Sequence, residues 1–183
     1  MCFAGAAGAA PVAMARGAGS TTGTGVAGAA LAAVDKPPAA KRSMAEIAYD
    51  FFRHKGLTKA QAAGIVGNLV QESSARPGAI QEGGPGRGIA QWSVGGRWDK
   101  SLKDNVTWYA HLHNGNPWQL SMQLGFIWYE LTSFPGYGLK ELRAARTVAE
   151  ATRAFEAHYE VCGECNEPRR IAQAQVALRE YGG

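Results

Sequence analysis

From Ser43 onward, apolar residues recur at helical spacing between short polar or glycine-rich breaks. Ser43 and Glu46 form a capping-box pattern, in which a hydroxyl and a carboxylate satisfy free backbone donors at a helix start. Ile47, Phe51 and Phe52 follow as an apolar stripe, and Gly56 ends it. Thr58 and Gln61 repeat the pattern and open a helix carrying Ala62, Ile65, Leu69 and Glu72. Spacings of three and four put Glu72 on the face of Ile65 and Leu69. Pro77 stops that helix by about Ala75. Farther on, Asn116-Pro117 reads as a cap with proline at the first helical position. Leu120, Leu124, Trp128 and Leu131 then recur at helical spacing. Thr147 and Glu150 make a third capping box ahead of Val148, Ala151, Phe155 and Tyr159, and Pro168 opens a last helix through Ile171, Ala174 and Leu178.

Between the second and third helical groups the pattern breaks. Residues 83–96 hold six glycines and Pro85 around one short extended run, Gly88 to Ser93. That is turn chemistry, and it predicts a small β-hairpin lobe. The expected fold is mostly α (α+β), a helical domain with one Gly-rich β insertion.

Composition separates the chain into two parts. Residues 1–43 contain 15 Ala and 7 Gly, and Phe3 is their single aromatic out of 17 in the chain, so the core must be built from residues 44–183. Residues 1–43 read as a flexible Ala/Gly-rich leader or linker. They have no basic n-region before an apolar stretch, so they make a poor signal peptide, and Val26–Val34 is too short to span a membrane. Four of the chain's cations (Arg16, Lys36, Lys41, Arg42) oppose only Asp35 in this part, leaving the core near neutrality within a net charge of +4. No basic stripe interleaved with aromatics marks the core, which argues against nucleic acid as partner. Cys162 and Cys165 form one C-x-x-C, half of a zinc site at most, and read as a local disulfide or two free thiols. His111 and His113 point roughly 200° apart on a helix and cannot share a metal; Arg169-Arg170 reads as a surface pair at a helix start.

Glu72 is the candidate for chemistry. A carboxyl on an apolar helix face is costly to ionise and tends to keep its proton, as a general acid must. Gln71-Glu72-Ser73-Ser74, the turn Arg76 to Ala79, and the run Gly88-Ile89-Ala90-Gln91-Trp92 together resemble the lysozyme-like superfamily, including goose-type lysozymes and soluble lytic transglycosylases. The closer resemblance is to the phage tail lysozyme family. It rests on Gln61 to Leu69 running into Glu72, on Gly88 to Trp92 with Arg97, on Gln123-Leu124 to Leu131, and on Ala151-Thr152 to Glu156, and it covers roughly residues 44–180.

The resemblance implies cleavage of the β-1,4 bond between N-acetylmuramic acid and N-acetylglucosamine in peptidoglycan, with Glu72 protonating the leaving oxygen. Gln91 is then expected to hydrogen-bond the sugar, Trp92 to stack on a ring, and Ser73 to sit beside the acid. Tyr129 is the aromatic of its stretch placed to reach the cleft, and Tyr159 is a loose counterpart of the sugar-orienting tyrosine of lytic transglycosylases. A muramidase needs a second carboxylate, for which Glu82 and Asp99 are the candidates, with Asp104 behind them. A lytic transglycosylase needs none, because the substrate's own 6-hydroxyl closes a 1,6-anhydro ring. The rival outside enzymology is an inactive wall-binding or structural module of a phage tail or secretion machine. No cofactor or metal is called for. The expected place of action is the cell wall, extracellular, periplasmic or virion-associated.

Overall fold

The structure, a computed structural model, describes residues 41–161 and 165–183. The leader reading therefore lies almost wholly outside the described residues, as does Cys162. Seven α-helices are present among them: α1 (Met44–His54), α2 (Lys59–Ser73), α3 (Val106–Leu112), α4 (Leu120–Ser133), α5 (Leu139–Ala144), α6 (Val148–Phe155) and α7 (Glu167–Tyr181). A two-stranded antiparallel hairpin, β1 (Gly86–Arg87) and β2 (Trp92–Ser93), sits between α2 and α3, with Arg87 facing Trp92. A 3-10 turn (Pro135–Tyr137) precedes α5, and a π-helical turn (Glu156–Glu160) prolongs α6. The mostly α (α+β) expectation is met.

Helix α2 is the centre. Gln61 through Leu69 are all buried, and α7, α6 and α1 pack around it. Two glycines make this possible. A Cβ at Gly64 would lie 2.7 Å from the Ala151 backbone of α6, and one at Gly67 would lie 2.6 Å from the Ala174 nitrogen and Arg170 carbonyl of α7. The apolar core continues through Tyr49, Phe52, Ile89, Trp92, Phe126, Ile127, Phe155 and Tyr159.

The capping boxes of α2 and α6 have both arms, Thr58 with Gln61 and Thr147 with Glu150. At α1 only half is made. Ser43 Oγ accepts from Glu46 N at 3.0 Å, whereas the Glu46 carboxylate takes a hydrogen bond from Arg42 Nε. Two boundaries differ from expectation. Helix α4 begins at Leu120, not Pro117. Asn116 Oδ1 accepts from Trp118 N, and the Pro117 carbonyl accepts from the Gln123 side chain, which holds the segment as a turn. The extended run Gly88–Ser93 is extended only at Trp92–Ser93. Residues 88–91 form the hairpin loop, with Gly88 and Gln91 at φ of 73° and 50° and Ile89 N donating to Gln123 Oε1.

Gln123 stitches these pieces together. Its Nε2 donates to Pro77 O and Pro117 O, and its Oε1 accepts from Ile89, so one buried amide ties α4 to the α2–β1 loop, the hairpin loop and the α3–α4 turn. Gly67→Ala should cost about 1–3 kcal/mol by overpacking, because backbone atoms on α7 leave no room for a methyl group. Chemical denaturation against wild type measures it, and an unchanged midpoint contradicts the packing argument.

Candidate functional site

Helix α2 stops at Ser73 with an abrupt change of backbone. Ser74 and Ala75 both take left-handed φ, 58° and 56°, a strained choice for non-glycine residues. Two bonds hold the turn, Ala75 N donating to Leu69 O and Ser73 Oγ donating to Ile89 O at 2.9 Å. Ser73 thus fastens the helix end to the hairpin lobe.

Glu72 sits in this last turn with 20% of its side chain exposed. Its Oε1 accepts from Arg170 Nη2 at 2.5 Å. Arg170 is nearly sealed from solvent, which corrects the surface expectation for that residue, whereas Arg169 is exposed as expected. The close approach of α7 at Gly67 carries the guanidinium into the interior, where three oxygens replace water. Nη1 donates to Asn68 Oδ1 at 3.0 Å and Nε donates to Cys165 O at 2.7 Å. Asn68 is held in turn by donating to Gly64 O and Thr152 O. Glu156 Oε1 lies 3.9 Å from Arg170 Nε, and burial raises its pKa against the pull of that guanidinium. Cys165 is disulfide-bonded.

Beside the hairpin lies a cavity of about 420 Å³, within the ~300–1,000 Å³ range of small-molecule sites. Ala90 to Ser93, Gly96 and Arg97 line one side; Tyr137, Tyr159, Glu160 and Val161 line the other. Its floor is an ionic network. Arg97 donates to both oxygens of Glu130 at 2.9 and 2.7 Å, and to Tyr159 O, and lies over the rings of Tyr159 and Tyr137. Tyr159 Oη donates to Glu130 Oε2 at 2.5 Å, and burial beside that carboxylate pushes the phenol pKa well up. Bidentate pairing supplies what solvent would have given these buried charges.

The structure brings Gln91, Trp92 and Tyr159 to this cavity. Glu72, Ser73, Tyr129, Glu82 and Asp99 are not among the residues lining it. Gln91 donates its amide to Gly88 O. Trp92 is 2% exposed, with its ring against Phe126 and Trp98, so no open ring face remains for a sugar to stack on. Tyr159 has its hydroxyl taken up by Glu130 and is buried, so its role is to build the floor rather than to meet a sugar. Tyr129 Oη donates to Asp104 Oδ1 at 2.5 Å, which occupies both residues. Asp99 accepts from Gly95 N at 2.7 Å, and both Asp99 and Glu82 are exposed.

Sequence reasoning missed Glu160. It ends the π-helical turn and lines the cavity, and its Oε1 is buried with no hydrogen-bond partner among the described residues. Burial first, and the charge of Glu72 second, push its pKa up to about 8. The one hint in the sequence was position: Glu160 follows the apolar stripe that ends at Tyr159. Spacing could not reveal the π-helical turn, which re-aims the side chains after Phe155. Among the described residues no group of three His, Cys, Asp or Glu side chains could hold a metal, and no helix is long and apolar enough to cross a membrane.

A carboxyl whose folded pKa lies above its unfolded value of 4.5 stabilises the fold fully below that value and loses this contribution as pH rises toward about 8. Wild-type stability should therefore fall from pH 5 to pH 8.5, and Glu160→Gln should flatten the fall. Thermal midpoints across that range measure both, and parallel curves for the two proteins would refute the assignment.

No curated protein matches the chain. A family model does: the phage tail lysozyme model matches residues 43–181, nearly all of the described residues. With a mostly helical fold, a small hairpin lobe and a carboxyl in the last turn of α2, the chain belongs to the phage tail lysozyme family, and its action is lysozyme-like and directed at peptidoglycan.

Proposed function

We propose that the protein cleaves the β-1,4 bond between N-acetylmuramic acid and N-acetylglucosamine, with Glu72 as the essential acid. The observation that carries this reading is Glu72 itself: a carboxyl at the strained end of a buried helix, one-fifth exposed, clamped by Arg170 and beside the hairpin lobe. Clamping fixes the position of the carboxyl, and acid assistance from a positioned carboxyl contributes about 10²–10⁴-fold. The leaving oxygen takes the proton as an oxocarbenium-like centre forms.

Transglycosylation is the second reading. It is favoured by one observation: neither of the second carboxylates expected from the sequence, Glu82 and Asp99, lines the cavity. In that case the C6 hydroxyl of the muramic sugar closes the ring instead of water. A phage tail or a secretion machine acting at the wall is the setting that suits either chemistry.

Glu72→Gln should fold normally and lose at least about 100-fold in rate. Mass spectrometry of fragments released from purified peptidoglycan is the measurement. Reducing ends mean hydrolysis and 1,6-anhydro ends mean transglycosylation. Wild-type turnover by Glu72→Gln removes Glu72 from the chemistry, and no fragments from either protein leaves a wall-binding module. Arg42 pairs with Glu46 and Asp50 on α1, and Ser43 Oγ lies 3.2 Å from Tyr181 Oη. A truncation starting at Lys41 should accordingly keep full activity on isolated walls, and a folded but inactive truncation would show that the leader takes part.

A further inference from the structure

We propose that Glu160, presented by the π-helical turn at the cavity, is a second catalytic carboxyl for the glycan cleavage assigned to Glu72. The inference rests on the glycan-cleavage reading above and adds the carboxylate that reading lacks.

Four observations converge on it. Glu160 lines the cavity beside the hairpin, whereas Glu72 does not. Its Oε1 is buried and has no hydrogen-bond partner among the described residues. Such an atom normally finds a partner, so an orphan on a residue that lines a cavity points to a ligand. Trp92, also lining the cavity and 2% exposed, has its Nε1 hydrogen equally unpartnered. The two orphans suit a ligand that both accepts and donates hydrogen bonds, as a sugar with its hydroxyl and acetamido groups does. The backbone that presents Glu160 is also unusual. A π-helical turn ends at Glu160, and Val161 follows at φ 48°, a costly conformation for a β-branched residue. Strain of that kind persists where surrounding structure enforces it, and here it fixes the backbone beside a residue that lines the cavity.

The charged groups around Glu160 come from four elements. Glu72 on α2 and Glu130 on α4 repel a second negative charge, while Arg97 after β2 and Arg170 on α7 attract it. Glu130 is already matched by Arg97, and Glu72 by Arg170. Neither guanidinium donates a hydrogen bond to Glu160, so deep burial favours its neutral form. Glu160 therefore keeps its proton into the neutral range.

In hydrolysis one carboxyl proton passes to the glycosidic oxygen as its bond to C1 breaks. A water oxygen then bonds to C1, and the proton it releases restores the donor carboxyl. Nothing else is consumed. The substrate's C6 hydroxyl can stand in for water in the second half without changing the proton balance.

The test uses the full-length protein on purified peptidoglycan. Glu160→Gln should unfold cooperatively like wild type and lose at least about 100-fold in kcat/KM. The wild-type alkaline limb, expected near pH 8, should coincide with the titration of the Glu160 carboxyl followed by ¹³C NMR. In Glu72→Gln that titration should move to lower pH. Should Glu160→Gln fail to fold, the wild-type titration decides: a midpoint near 8 supports the Glu160 assignment, and one near the ordinary value of about 4.3 overturns it. Cleavage within twofold of wild type and an unchanged pH profile for Glu160→Gln overturn this inference alone. No fragments from wild type overturn the glycan-cleavage reading and this inference with it.

Discussion

The closeness with which α6 and α7 approach α2 is the constraint on which the site depends. Missing side chains at Gly64 and Gly67 let backbone meet backbone, and that contact sets Asn68 between Thr152 and Arg170. Arg170 is then held by α2 itself and by the carbonyl of Cys165, leaving one arm of its fork for Glu72. A larger residue at either glycine would push a helix outward, and the guanidinium would retreat with it. The position of an acidic side chain is in this sense a consequence of two absent methyl groups.

Electrostatics explains why the neighbouring cavity is built as it is. Taking a charge out of water costs several kcal/mol, offset only by well-aligned partners. Arg97 and Glu130 meet that condition with two parallel hydrogen bonds and a tyrosine hydroxyl. Arg170 meets it with carboxylate, amide and carbonyl oxygens. Glu160 has no such set, and a buried carboxyl without one keeps its proton. One structure therefore holds fully satisfied ion pairs that give rigidity and, among them, a carboxyl left with a labile proton.

Much of this was legible in the chain. Capping boxes at Thr58 and Thr147 and the three-and-four spacing of Ile65, Leu69 and Glu72 are local properties, decided by hydrogen bonds and side-chain directions within one turn. The glycine cluster marked the hairpin for the same reason, since turn geometry is local. Errors arose where a distant group competed for a backbone atom. Gln123 captured Ile89 N and Pro117 O, so the loop at Gly88–Gln91 and the turn before Leu120 departed from their local patterns.

The sequence by itself determined the longer helices, the hairpin, the acidic helix end and the family resemblance, because each is written in residues close together along the chain. Tertiary structure alone decided which polar side chains meet. It buried Arg170 against Glu72 across 98 residues and joined Tyr159 to Glu130 across 29. It also turned Trp92 inward and brought Glu160 to the cavity. Partnership of buried charges depends on helix approach and on a single π-helical turn, and neither has a period that can be read along the chain.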